Sequence, residues 1–222
     1  MQPIEGAVIA AAGLGSRLGL GLPKCMLEIG GRTILSRLIE ATEPHVRRLH
    51  VVVGYREELV IEHCSRHHRN VVLVRNPHFR TTNTAQSMSV GARGFSGKVL
   101  FLDGDLLISP VCMAAFCSAA ATSDVLIGLT RQQSEHGVYV RAAEGQTPDQ
   151  VIVEEFARAP VRPLEWANLF TGPARVLDAA GGFVFEELSR LLPLPGQVVS
   201  VAEIDTPGDL EVARRFGSAL GG

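Results

Sequence analysis

The sequence predicts an α/β fold: a Rossmann-like, mostly parallel (mixed) sheet with helices on both faces and a small β meander in the second half. Three observations predict it. Short apolar runs alternate with segments of helical spacing through the first half. Two of those runs lead directly into turns rich in glycine or aspartate, at the edge where open α/β sheets gather ligands. The chain has 222 residues and 46% hydrophobic content, enough to bury the core of one generous domain over residues 1–222.

Ala7-Val8-Ile9-Ala10-Ala11-Ala12 reads as a buried strand that stops at Gly13. Thr33 is placed to cap a helix running to about residue 43, with Ile34, Leu35, Leu38 and Ile39 on one face and Pro44 closing it. A second strand covers residues 49–54 and a second helix 57–67. Residues 70–74 form a third strand, ended by Asn76-Pro77, and Thr82 or Asn83 caps a helix through about residue 92. A fourth strand at 98–102 enters Asp103-Gly104-Asp105, and Pro110 starts a helix to about residue 121. In the second half, residues 124–129 read as a strand. Residues 137–140 and 150–153 are short alternating runs of a hairpin or meander. Pro160 and Pro163 flank a loop entering residues 164–170. Helical spacing follows over 174–192, interrupted by Gly181-Gly182, then a last strand at 198–201 and a terminal helix starting near Pro207. No repeat, low-complexity tract or linker divides the chain.

A net charge of -2 and a pI near 6.4 give no electrostatic reason to expect a nucleic-acid partner. No apolar stretch reaches the length of a membrane span, and no cleavable leader precedes the first strand, so a cytoplasmic protein without a membrane partner is expected. Cys25, Cys64, Cys112 and Cys117 are scattered and form no C-x-x-C pair, which argues for reduced thiols rather than zinc or disulfides. Five histidines, His45, His50, His63, His67 and His68, show only helix-surface spacing.

The richest stretch follows the first strand. Gly13, Gly15, Gly19 and Gly21 leave a loop almost without side-chain bulk, and Arg17 and Lys24 project into it, Pro23 stiffening the backbone before the lysine. A glycine-rich turn after a strand offers backbone N–H groups to phosphate oxygens, and the two cations supply matching charge. This is a nucleoside triphosphate site by composition, with Lys24 on an exposed loop. It is not the P-loop string, and Leu18 stands where the dinucleotide fingerprint needs a third glycine. The acids Asp103 and Asp105 end a buried strand, and a D-x-D spacing aims both to one side. Alone, such a string is a common turn. A second acidic station, Glu203-Ile204-Asp205-Thr206-Pro207, gives it a partner. Magnesium takes one or two carboxylates together with substrate phosphates.

The run Ala11-Ala12-Gly13-Leu14-Gly15-Ser16-Arg17-Leu18 with Pro23-Lys24 resembles the A-A-G-x-G-[ST]-R-L…P-K signature of the nucleotidyltransferase superfamily. The resemblance implies that Arg17 and Lys24 are catalytic. Ala11, Ala12, Gly13, Gly15 and Ser16 would line the nucleotide, and Asp105 and Asp205 would hold Mg²⁺. Asp103 would sit nearer the nucleoside, with Glu203 within reach of the metal and Asp209 serving the terminal helix. Thr82-Asn83-Thr84-Ala85-Gln86-Ser87-Met88 resembles the T-N-N-x-x-S-L segment of the phosphocholine cytidylyltransferase branch, departing at Thr84 and Met88. This makes Ser87 and Asn83 nucleotide contacts, although capping alone explains Asn83 equally well.

The activity implied is transfer of a nucleoside monophosphate, CMP from CTP or another NTP, to a small phosphate or phosphonate acceptor, with release of pyrophosphate. The acceptor is already an anion, so no nucleophilic side chain is needed. Trp166, near Glu154, Glu155 and Glu165, would suit a cationic head group, or simply pack. Arg131 and His136 are candidates for the acceptor phosphate. A sugar-1-phosphate or molybdopterin-type nucleotidyltransferase is the alternative, and a non-catalytic nucleotide-binding regulator is the reading from a different class. A monomer or homodimer is expected.

Overall fold

The computed structural model describes residues 3–14, 21–145, 147, 149–204, 208, 209 and 213. In chain order the strands and helices of the first half are β1 (Ile4–Ala10), β2 (Glu28–Ile29), β3 (Arg32–Thr33), α1 (Ile34–Thr42), β4 (Arg48–Val53), α2 (Glu57–His67), β5 (Val72–Arg75), α3 (Thr84–Ala92), β6 (Lys98–Asp103), β7 (Leu106–Ile108) and α4 (Pro110–Ala120). The second half supplies β8 (Leu126–Arg131), β9 (Tyr139–Glu144), β10 (Gln150–Ala157), β11 (Leu164–Pro173), α5 (Val184–Ser189), β12 (Leu194–Val198) and β13 (Val201–Glu203). Nine of these strands form one mixed sheet in the order β5-β4-β1-β6-β11-β8-β12-β10-β9. The first four are parallel, β11 runs antiparallel between β6 and β8, β10 runs antiparallel between β12 and β9, and β9, last in the order, also pairs antiparallel with β11. Small antiparallel pairs, β7–β13 and β2–β3, lie outside it.

Alternation along β1 divides the core. Ala7 and Ile9 face the cluster filled by α1, α2 and α4, and Val8 faces the cluster filled by α3 and α5. Helices therefore cover both faces, as expected of parallel strands buried on two sides. The helix starts follow from their caps. Thr33 accepts the Ser36 N–H at 3.1 Å, Ser109 accepts the Cys112 N–H at 3.0 Å ahead of Pro110, and Asn83 with Gln86 forms a capping box. Gly91 lets α3 lie against the sheet, since a Cβ there would come within 2.5 Å of Val52 Cγ2 and 2.6 Å of Val8 Cγ1. The four cysteines are unpaired, and burial pushes the Cys64 thiol up to about 11 and the Cys117 thiol up to about 12.

Two expectations are corrected. The helical spacing over 174–192 yields turns through 174–179 and a helix only at Val184–Ser189. The Glu187 carboxylate takes the N–H groups of Gly181 and Gly182 at 3.1 and 3.2 Å, and Glu186 takes that of Phe183 at 2.8 Å, so the helix begins after the glycines. The single strand at 198–201 is two: β12 ends at Val198 in the large sheet and β13 starts at Val201 on β7. Residues 164–170, which sequence leaves without an element, belong to the ten-residue β11. Its register shifts between Trp166 and Phe170, where Asn168 takes a left-handed φ of 54°. Pro207 lies outside the described residues, while Gly208, Asp209 and Ala213 are helical.

Candidate active site

The site forms at the carboxyl ends of β1 and β6, where the register pairs Ala10 with Asp103. The backbone beyond β1 is pinned by neighbours on both sides. Ala11 N donates to Val52 O at 2.9 Å, Tyr55 N to Ala12 O at 3.1 Å, and Gly104 N to Ala10 O at 3.0 Å. Gly104 is required by space rather than by turn conformation. A Cβ on it would stand 2.8 Å from Ala10 O and 3.0 Å from Ala11 Cα. Gly54 plays the same part for Phe79, whose Cβ and Cγ lie 2.7 and 2.8 Å from the position of the missing methyl.

Over this floor opens a cavity of about 420 Å³. Ala11, Ala12, Gly13, Lys24, Asn83, Ser87, Asp103 and Asp105 all line it, so the described residues expected at the nucleotide phosphates, the base and the metal meet in one cavity. Gly15, Ser16, Arg17 and Asp205 lie outside the described residues. The backbone N–H of Ile204 nevertheless donates to Asp105 O at 3.2 Å, which brings the second acidic segment to the first.

Lys24 opens a short 3-10 turn directly after Pro23. Its Nζ donates to Asp105 Oδ2 at 3.0 Å, and both side chains are only 16% exposed. The expectation of an exposed loop lysine is therefore corrected: its carboxylate partner and the cavity wall cover it. The Oδ1 atoms of Asp103 and Asp105 are buried and have no hydrogen-bond partner among the described residues. Burial above all, then the charges of Asp105 and Glu203, push the Asp103 carboxyl well above the usual carboxylate range, with Lys24 pulling it back. Two orphaned hard oxygens and an excess of carboxylate charge fit a hard divalent cation that takes its remaining ligands from phosphate. No group of three or more His, Cys, Asp or Glu positioned for a metal occurs among the described residues.

Asn83 and Ser87 differ in what they have left to offer. The Asn83 side chain accepts Gln86 N at 3.1 Å and donates to Gly182 O at 2.7 Å, which ties α3 to the loop carrying Phe183. Ser87 is buried and touches Asn76 Nδ2 at 3.0 Å. Asn76, Phe79, Arg80, Gly104 and Phe183 escape the sequence reading. Only the Asn76-Pro77 dipeptide and the glycine between two aspartates signal them, and both pass for ordinary turns.

A second cavity of about 720 Å³ shares Thr84, Asp103 and Phe183 with the first. Five of its lining side chains are acids: Asp103, Glu135, Glu165, Glu203 and Asp209. Asn168 Nδ2 donates to Glu203 Oε2 at 2.8 Å, so the left-handed bulge in β11 aims a donor at that acid. The Glu165 carboxyl is raised by burial, against the N–H groups of Gln133 and Ser134 that bond it. Trp166 and His136 also line this cavity, and Arg158 lies over the rings of Phe185 and Phe183 at 5.1 and 5.5 Å. Arg131 is exposed at the end of β8 and is not among the lining residues. Glu154 and Glu155 are spent on Arg141 at 2.8 and 3.1 Å, outside the cavity lining, so the expectation that they flank Trp166 around a ligand is corrected. Of the discounted histidines, His50 Nδ1 bonds Gly91 O at 2.7 Å, and His63 and His68 meet on the Ser36 hydroxyl at 2.8 and 2.7 Å.

Comparison with known proteins follows the same lines. Bifunctional protein GlmU of Geobacter sulfurreducens is 30% identical over 191 residues, covering 83% of this chain and 39% of its own length. CMP-5'-(3-aminopropyl)phosphonate synthase of Streptomyces rubellomurinus is 31% identical over 195 residues, covering 84% of this chain and 31% of its own. The chain thus spans roughly a third of the length of these curated relatives. Among solved structures, the inositol-1-phosphate CTP transferase from T. maritima superposes with a TM-score of 0.73 at 19% identity over 99% of this chain and 98% of its own. A UDP-glucose pyrophosphorylase superposes with a TM-score of 0.80 at 10% identity over 97% and 98%. These two show a common fold. The model of the MobA-like NTP transferase domain matches residues 7–178, and the chain belongs to that family.

Proposed function

We propose that this chain transfers a nucleoside monophosphate, CMP from CTP, to a small phosphorylated alcohol or phosphonate and releases pyrophosphate. The observation that carries the reading is the meeting of Lys24, Asp103 and Asp105 in the lining of a cavity that Ala11, Ala12 and Gly13 also line. A triphosphate laid along that lining places its α-phosphorus beside the Lys24 ammonium. The acceptor oxygen attacks that phosphorus, the bond to the β-phosphate oxygen breaks, and pyrophosphate carries away the electron pair. Lys24 stabilises charge growing on the α-phosphate. A donor of this kind is worth about 3 kcal/mol of transition-state stabilisation. Asp105 and Asp205 are proposed to hold Mg²⁺, and Arg17 the departing pyrophosphate. When bound, the metal supplies charge neutralisation between two anionic reactants.

The second cavity supports a small acceptor with a positive end. It adjoins the first through Asp103, and its walls carry five acids and three aromatic rings. The Streptomyces relative's name specifies an aminopropyl phosphonate. The GlmU relative and the UDP-glucose pyrophosphorylase neighbour favour the second reading, a sugar-1-phosphate acceptor. The test is pyrophosphate release with each NTP and Mg²⁺ against phosphocholine, aminoethylphosphonate and sugar-1-phosphates. The proposal expects release only with CTP and a cationic phosphate or phosphonate. Release with a sugar-1-phosphate selects the second reading, and tight nucleotide binding without turnover selects a regulator.

A further inference from the structure

We propose that Asn76 is a positioning residue for base selection: it fixes the Ser87 hydroxyl as a hydrogen-bond donor to the nucleobase. This rests on the reading of the first cavity as the nucleotide site. Asn76 follows β5 and is 2% exposed. Its amide orientation is dictated by chemistry, because the His78 N–H that faces it at 3.0 Å can only donate, so the atom there is Oδ1. Nδ2 then points the other way and serves both nearby hydroxyls, Thr82 Oγ1 at 2.9 Å and Ser87 Oγ at 3.0 Å. Each hydroxyl accepts from Asn76. Thr82 passes its own hydrogen to His78 O at 2.9 Å.

Ser87 has no such outlet. It is 6% exposed, it lines the nucleotide cavity, and its hydroxyl hydrogen meets no acceptor among the described residues. A buried donor in this state calls for an acceptor, and the cavity it lines is where a bound nucleotide would supply one. Cytosine carries an acceptor at N3 where uracil carries an N–H, while O2 accepts in both bases, so the discriminating contact is a donor held toward N3, which favours cytosine. The Asn83 side chain, tied to Gln86 and Gly182, holds the start of α3 and with it the Ser87 backbone. Selection therefore depends on a residue that does not itself line the cavity.

The isosteric substitution Asn76→Asp tests this directly. Asp keeps the acceptor for His78 N–H but can only accept, so Thr82 and Ser87 must turn their hydrogens toward it and Ser87 shows the ligand its lone pairs. Binding of CTP and of UTP is measured by calorimetry, and pyrophosphate release is followed with each. The expected result is a fall of about tenfold or more in the CTP-over-UTP ratio, carried by Kd and KM with kcat little changed. Ser87→Ala should lose the same discrimination, and adding Asn76→Asp to it should cost no further selectivity. Asn76→Ser, which removes both amide hydrogens without adding charge, reads the same ratio if the aspartate variant does not fold. A folded Asn76 variant that retains the wild-type ratio overturns this inference and leaves the proposed function standing. A wild-type protein that binds no nucleoside triphosphate overturns both.

Discussion

Gly104→Ala is the sharpest test of how the site is built. The added Cβ would stand 2.8 Å from Ala10 O, 3.0 Å from Ala11 Cα and 3.2 Å from Ala11 Cβ. Carbon contacts are comfortable at about 3.5–4.0 Å, so β1 and the turn after β6 must separate by roughly half an ångström or more. Backbone and a Cβ block the way, so no rotamer change relieves the clash. Separation also stretches the 3.0 Å bond from Gly104 N to Ala10 O. Overpacking of this kind costs about 2 kcal/mol, or about 4–8 °C in a chain of this length. The displaced atoms are those that set Ala11 against Asp103 and Asp105, and a shift near 1 Å costs about 100-fold in a positioned reaction. Thermal melts and initial rates of pyrophosphate release measure both effects. Gly13→Ala is the control, because a Cβ at Gly13 of the same cavity meets nothing within 4 Å among the described residues and should leave the melt within about 0.5 kcal/mol of wild type. A Gly104→Ala protein with unchanged melting and unchanged kcat/KM would refute the close-approach argument.

Three further outcomes are expected. Lys24→Ala should lower turnover by about 100-fold or more; it should also lower the melting temperature at neutral pH, because Asp105 loses its 3.0 Å partner, and Asp105→Asn in the same chain should restore the melt. Asp105→Asn alone should raise the Mg²⁺ concentration for half-maximal rate, and an unchanged metal titration would remove Asp105 from the metal site. Glu5 is held below the usual carboxylate range, first by the N–H groups of Ser96 and Gly97 and then by Arg48. Its folded-state pKa is depressed, so its contribution is present above the unfolded value and lost as pH falls through the folded one. Glu5→Gln should therefore melt below wild type at pH 7, and the gap should close at acid pH.

Much of the first half was legible because local chemistry and tertiary demand agree there. Thr33, Asn83 and Ser109-Pro110 are caps by type and by geometry, and the apolar runs at β1, β4 and β6 suit a doubly covered sheet. The site candidates were legible because glycine, lysine and aspartate fell at strand ends. The second half was harder to read. Residues 174–192 carry helical spacing, yet the Glu187 carboxylate captures the Gly181 and Gly182 N–H groups and delays the helix, a contact that periodicity does not reveal. The split between β12 and β13 is likewise a choice between two partner strands, β8 and β7, made at long range. Asn76 and Gly104 were missed for a related reason. Their importance lies in what stands a few ångströms away across the sheet edge, and nothing in their immediate sequence differs from a turn.

The most direct test is a crystal structure with Mg²⁺ and a non-hydrolysable CTP analogue. The account predicts the α-phosphate beside Lys24 Nζ, the metal on Asp105, and the base against Ser87 and the backbone at Ala11, Ala12 and Gly13. A nucleotide bound elsewhere, with the Lys24–Asp105 pair undisturbed, would contradict it.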